Sequence, residues 1–114
     1  MTLSTSDTDS ARIVTVETDR IDAALAIRFK DEMRDVTNDG PDWVVLDLSQ
    51  VAFIDSSGLG AIVASMKQLD KGRRLDLAGL TPTVDKVFRM TRMDTVFRIY
   101  PDTGSAVGDT AHAS

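Results

Sequence analysis

Apolar positions along the chain change their spacing several times, and each change marks an element. Ile13, Val14 and Val16 give a β signal in a polar surround, which predicts a strand over 12–17. Thr18-Asp19-Arg20 reads as the turn out of it. Ile21, Leu25, Phe29, Met33 and Val36 then recur at spacings of four, four, four and three, one face of a helix over 22–38. Asp22 can cap that helix. Asn38-Asp39-Gly40-Pro41 stops it, because Gly suits a left-handed conformation and Pro cannot continue. Ile27 lies off the stripe, either as a peripheral core contact or as an exposed apolar residue at a partner surface.

Trp43-Val44-Val45-Leu46-Asp47-Leu48 is apolar almost throughout, as expected of a strand over 43–48 covered on both faces. Ser49-Gln50 breaks it, and Val51-Ala52-Phe53-Ile54 leads into Asp55-Ser56-Ser57-Gly58-Leu59-Gly60. Beyond that, Leu59, Ile62, Val63, Met66 and Leu69 mark a helix over 57–70, ended by Gly72. Lys67, Lys71, Arg73 and Arg74 favour the negative end of this helix, or form a docking patch for an acidic partner. Leu75-Asp76-Leu77-Ala78 alternates as a strand does. Thr81-Pro82 opens a helix over 83–91 with Val84, Val87, Phe88 and Thr91 inward. A last strand spans 96–100.

Strands alternating with helices call for an α/β domain, a sheet largely parallel after its first strands with helices packed on it. Residues 1–10 are mostly Ser, Thr and Asp, and are expected to be a flexible leader or at best a poor edge strand. The domain is expected over 11–101, with a weakly structured tail over 102–114.

Composition removes several functions. The net charge of −5 over 114 residues argues against broad nucleic-acid binding. That charge is uneven: residues 1–57 hold five Lys/Arg against twelve Asp/Glu, and residues 58–114 eight against six. There is no cysteine, so neither a disulfide nor a thiolate site is available. No apolar run approaches a membrane span, and the polar, acidic start is unlike a signal peptide, so a cytoplasmic protein is expected.

Catalysis finds few candidates. The sole histidine, His112, sits in the expected tail, away from any serine it would have to activate. Metal ligands would be scattered carboxylates, and no metal site is expected. Asp47 and Asp55 flank one strand and loop, as a carboxylate pair or as ordinary turn formers. The serine loop lacks the glycine spacing and lysine of a nucleotide loop. An aspartyl-phosphate receiver would need an adjacent acidic pair, which Asp19 and Asp22 do not form.

The serine pair therefore carries the question. A hydroxyl at a helix start can cap the helix, or it can carry a phosphate facing free N–H groups and the positive end of the dipole. Phosphorylation adds roughly −1.5 to −2 charges and three acceptor oxygens. Desolvating that charge unpaired in an interface costs on the order of several kcal/mol, and each ~1.4 kcal/mol is tenfold in affinity.

Val44-Val45-Leu46-Asp47-Leu48 followed by Phe53-Ile54-Asp55-Ser56-Ser57-Gly58-Leu59-Gly60 closely resembles the signature of the STAS domain, and in particular of bacterial anti-sigma factor antagonists. Ile21-Asp22, the stretches 77–79 and 84–88, Thr81-Pro82 and 96–100 extend the resemblance over roughly residues 12–101. It implies a four- or five-stranded mixed sheet with helices mainly on one side. It also implies a protein that is not an enzyme. The unmodified form binds an anti-sigma factor that is also a serine kinase, and so frees a sigma factor. The kinase phosphorylates the first serine, here Ser56, the phosphoprotein lets go, and a PP2C-type phosphatase resets it. ATP and magnesium belong to the kinase, and no cofactor is implied for this chain. Asp55 and Ser57 would shape the loop and Gly58 would allow close backbone approach. The partner surface would include Asp55, Ser56, Ser57, Gly58, Leu59, Asp22 and Ser49. The resemblance fixes no oligomeric state.

Three departures stand out. Asp19 replaces a Gly before Leu-Asp, Leu25 replaces a Thr, and Thr91-Arg92-Met93 replaces Thr-Gly-Leu, so the later helix is expected to end differently. Two other roles stay open: a non-switching STAS scaffold in a signalling or transporter-associated complex, and a small-ligand-binding STAS module.

Overall fold

The computed structural model describes residues 3–112, with side chains described through 107. In chain order the elements are β1 Leu3–Asp7, β2 Ala11–Val16, β3 Arg20–Ile21, α1 Ala23–Val36, β4 Trp43–Asp47, β5 Phe53–Ile54 and α2 Ser56–Gln68. There follow β6 Arg74–Ala78, α3 Pro82–Met90, a 3-10 turn Met93–Thr95, β7 Ile99–Tyr100 and α4 Thr103–His112. Five strands form one mixed sheet in the order β1-β2-β4-β6-β7, antiparallel only between β1 and β2. The steps β2 to β4, β4 to β6 and β6 to β7 all run the same way across the sheet. Right-handed crossovers therefore deliver α1, α2 and α3 to one face.

That face holds the main core. Val44, Leu46 and Leu48 of the central strand region pack with Met33, Ile62 and Phe88 from the three helices. Trp43 and Val45 point the other way, to a smaller cluster with Ala78, Tyr100 and Ala106. Both faces of β4 are thus covered, which accounts for its unbroken apolar run. Phe97 closes the main core against Phe88, edge to face at 6.1 Å between ring centroids.

Several expectations change. The leader expected over 1–10 contains β1, whose Leu3 is 2% exposed and seals the main core. Its far end is held by Arg12, which donates from Nε to Asp7 at 2.8 Å and from Nη1 to the Val36 carbonyl at 2.9 Å. The hydrogen bond from Arg12 holds the Asp7 carboxyl below the usual carboxylate range. The tail expected over 102–114 contains α4, opened by Asp102, whose Oδ1 accepts from the Ser105 N–H at 2.6 Å. Its small Ala106 fits flush on the second face of the sheet. Residues 1–2 and 113–114, and the His112 side chain, lie outside the described residues.

Smaller corrections have local causes. The last strand shrinks to two residues because 93–95 coil into a 3-10 turn. Thr91 does not face inward; it is exposed and its hydroxyl donates to the Val87 carbonyl at 2.7 Å. Thr81 precedes α3 without capping it by its side chain, because its hydroxyl donates to the Val51 carbonyl at 2.8 Å. Arg73 turns from α2 to the end of α1, where Nη1 donates to the Thr37 carbonyl at 2.6 Å. Arg92 adopts the left-handed conformation that a glycine would, with φ 61°.

The left-handed region costs a non-glycine residue roughly 1–2 kcal/mol, partly offset by glycine's greater chain entropy. Arg92→Gly is therefore expected to raise stability by about 0.5–1 kcal/mol. Urea unfolding followed by Trp43 fluorescence measures it, and an unchanged midpoint means the turn relaxes around Arg92.

Candidate functional site

A second, two-stranded sheet builds the site. β3 and β5 pair in parallel, Arg20 with Phe53 and Ile21 with Ile54. Such a short pair carries no periodic signal, and the sequence reading placed Arg20 in a turn. Ile21 and Ile54 point into the main core, and Arg20 and Phe53 point outward. Each strand then passes into a helix through an aspartate: Asp22 before α1 and Asp55 before α2. The pairing therefore sets two helix N-termini side by side.

The two aspartates satisfy the first-turn amides. Asp22 Oδ1 accepts from the Leu25 N–H at 3.3 Å. Asp55 Oδ1 accepts from the Gly58 N–H at 2.8 Å, and its Oδ2 accepts from the Ala23 N–H of the neighbouring helix at 3.2 Å. One carboxylate thus ties both helix starts together, in the field of both positive ends. Asp47 plays a lesser part of the same kind: its Oδ1 accepts from the Ser49 N–H at 3.0 Å. Asp47 and Asp55 act as turn and cap residues, each aimed at backbone.

Gly58 lies where the two starts touch. A Cβ at this position would stand 2.0 Å from the Ile21 carbonyl oxygen and 2.8 Å from its carbon. The reason for glycine here is contact between backbones, since its φ lies outside the left-handed range that the other turn glycines occupy. Gly60 differs, because a Cβ there meets nothing within 4 Å.

The serines are released from capping. The helix begins at Ser56, one residue earlier than its apolar stripe suggests, and the cap is Asp55. Ser56 and Ser57 are both exposed. Leu59 N–H makes the first intrahelical bond, to the Asp55 carbonyl at 2.9 Å. The Ser56 and Ser57 amides therefore have no carbonyl within the helix to bond.

Asp22, Asp55, Ser56, Ser57 and Gly58 come together at this double helix start, with Leu59 half-buried behind them against the core. Ser49 sits apart, facing Gly79 across the ends of β4 and β6. Two rim residues were not singled out from the sequence as site residues. Phe53 is 42% exposed, and the Arg20 guanidinium lies over its ring at 5.0 Å from the centroid. Along α1, Ile27 is 71% exposed and is not a core contact. It lines a surface depression of about 570 Å³ with Ala24, Asp31 and Asp35. Among the described residues no group of three or more His, Cys, Asp or Glu is placed to hold a metal ion. No described helix is long and apolar enough to cross a membrane.

A mixed sheet with crossover helices on one face and a serine at a capped strand-to-helix junction defines the class. The model of the STAS domain family matches residues 2–106, and the chain belongs to that family. An anti-sigma factor antagonist from Mycobacterium paratuberculosis is similar at 28% identity and TM-score 0.84, over 95% of this chain and 92% of that one. A Bacillus cell fate determinant, SpoIIAA in its phosphorylated form, shares the fold at 16% identity and TM-score 0.67, over 95% and 98%. A sulfate transporter family protein from Wolinella succinogenes shares it at 19% identity and TM-score 0.75, over 90% and 86%. The last two likenesses speak for the fold alone.

The two glycines separate cleanly in experiment. Gly58→Ala forces the helix starts apart and is expected to cost about 3 kcal/mol, the upper part of the usual overpacking range. Gly60→Ala, with open space and a helical backbone, is expected to gain about 0.5–1 kcal/mol. Urea midpoints of the two variants check this, and equal effects would mean that the contact with Ile21 does not restrict Gly58.

Proposed function

We propose that this protein is an anti-sigma factor antagonist that switches partners through phosphorylation of Ser56. The observation that carries the reading is the division of labour at the helix start. Asp55 holds the fold and leaves the Ser56 hydroxyl exposed and unused. In the unmodified state, the surface around Ser56, Ser57 and the start of α1 binds an anti-sigma factor that is also a serine kinase. That binding frees the sigma factor. Ser56 Oγ then attacks the γ-phosphorus of ATP held by the kinase, loses its proton, and ADP departs. The chain serves as substrate and ligand, without chemistry of its own.

The new phosphate sits at the first helical position. The unpaired Ser56 and Ser57 amides and the helix dipole accept it there without disturbing the cap. At an interface, the same roughly −1.5 to −2 charges must be stripped of water. The partner is released while the domain stays folded. A PP2C-type phosphatase restores the starting state. Asp22 and the exposed Phe53 and Ile27 extend the contact surface around the serine, whereas Ser49 sits apart from it. The likeness to the Mycobacterium paratuberculosis antagonist supports this assignment.

The reading is tested on protein recovered from its native cells, by intact mass with fragmentation to place any phosphate. Phosphate on Ser56 that disappears in Ser56→Ala is expected. Ser56→Asp is expected to keep the unfolding midpoint within about 0.5 kcal/mol, as an exposed substitution does. It is expected to weaken binding to the cognate kinase at least tenfold. Unchanged binding by Ser56→Asp, with no phosphate under any growth condition, would favour a non-switching scaffold, a role in keeping with the fold shared by the transporter protein.

A further inference from the structure

The outer side of the β3–β5 pair carries an arrangement that neither capping nor the core requires. Arg20 of β3 and Phe53 of β5 are paired in register and face outward, and each strand runs two residues on into a capping aspartate, Asp22 and Asp55. Arg20 Nε forms an ion pair with Asp22 Oδ2 at 3.1 Å while its guanidinium lies 5.0 Å from the centroid of the Phe53 ring. The Arg20 guanidinium therefore sits between the Phe53 ring and the Asp22 cap of α1, on the strand pair that leads into both helix starts. Residues 17–23 and 49–60 hold Glu17, Asp19, Asp22 and Asp55, with Arg20 as their only cation. From α3, which packs on β5, Asp85 is paired with Arg89 at 2.8 Å and Lys86 is exposed.

We infer that Arg20 is an intramolecular clamp for the phosphate on Ser56, held ready by Phe53 and lent to Asp22 until the phosphate arrives. The inference rests on the reading of Ser56 as phosphoacceptor and deepens it. A dianionic phosphate outcompetes a single half-buried carboxylate for a guanidinium, since it offers paired oxygens and more charge. Arg20 therefore swings from Asp22 to the phosphate while staying on the Phe53 ring. Asp22 keeps its bond to the Leu25 amide and loses its cation. Phosphorylation thus changes two charges on the partner surface: a phosphate is added at Ser56, and the Asp22 carboxylate is uncovered beside it. The stacked ring makes arginine, rather than lysine, the fitting residue.

The test uses the full chain with phosphoserine installed at position 56 during synthesis, so it does not depend on any kinase. The second ionisation of the phosphate, near pH 6 when free, is followed by phosphorus NMR titration. A guanidinium bound to the dianion lowers this pKa. Arg20→Gln is expected to raise it by about half a unit or more relative to the unsubstituted phosphoprotein. Arg20→Lys should fall between them. Asp22→Asn keeps the α1 cap, removes the competitor for Arg20 and is expected to lower the value further. Identical titrations for the unsubstituted protein and Arg20→Gln, with both folded by circular dichroism, would overturn the clamp. That result would leave the phosphoacceptor reading standing, since kinase modification of Ser56 in cells is read separately by mass.

Discussion

The Asp55 carboxylate is the contact on which the site depends. It accepts one amide from its own helix and one from α1, so a single side chain fixes the relative position of two helix starts. Hydrogen bonds to a charged group contribute about 1.5–3 kcal/mol each. Their larger consequence is geometric. The Ile21 carbonyl can lie against the Gly58 Cα only because the two starts are held this close. The short β3–β5 pair, too small to be stable alone, draws its position from Ile21 and Ile54 in the main core. Core, strand pair, cap and serine loop form one chain of dependence.

This arrangement explains how the domain can present a serine at a helix start without using it there. At most such positions a hydroxyl caps the helix, and phosphorylating it would remove the cap. Here the cap lies one residue earlier and is already charged. The first helical residue is then exposed and has no capping task, and the same holds for Ser57 beside it. The proposed modification and the cap would thus be separated by one residue.

Much of this was legible in the order of residues. α1, β4 and α2 have long apolar patterns matched to one period, and all were found with small boundary shifts. The strand-plus-serine signature pointed to the family that the match over 2–106 establishes. What escaped has physical causes. β3 and β5 have two residues each, too few for alternation to register. β1 is held by one buried leucine and by Arg12, contacts that a Ser/Thr-rich stretch does not announce. α4 opens on Thr103, Gly104 and Ser105, and packs through small side chains that leave no apolar stripe. The serine pair looked like a cap because its neighbour Asp55 was read as part of the loop. The αL turn at Arg92 was masked because the residue there is not glycine.

The local charge balance then decides what a phosphate does. Asp22 and Asp55 are half-buried carboxylates at the surface, and each is already matched, Asp22 by Arg20 and an amide and Asp55 by two amides. Before modification the serine loop can thus be covered by a partner without stranding a charge. Under the proposed reading, a phosphate at Ser56 would find only the Ser56 and Ser57 amides and whatever Arg20 can supply. That is less than three charged oxygens require once water is removed. In solvent the deficit vanishes, because water completes the shell. In an interface it persists unless the partner brings cations of its own to this spot. The proposed switch would therefore need no change of backbone: the same folded surface would be matched when covered in one state and unmatched in the other.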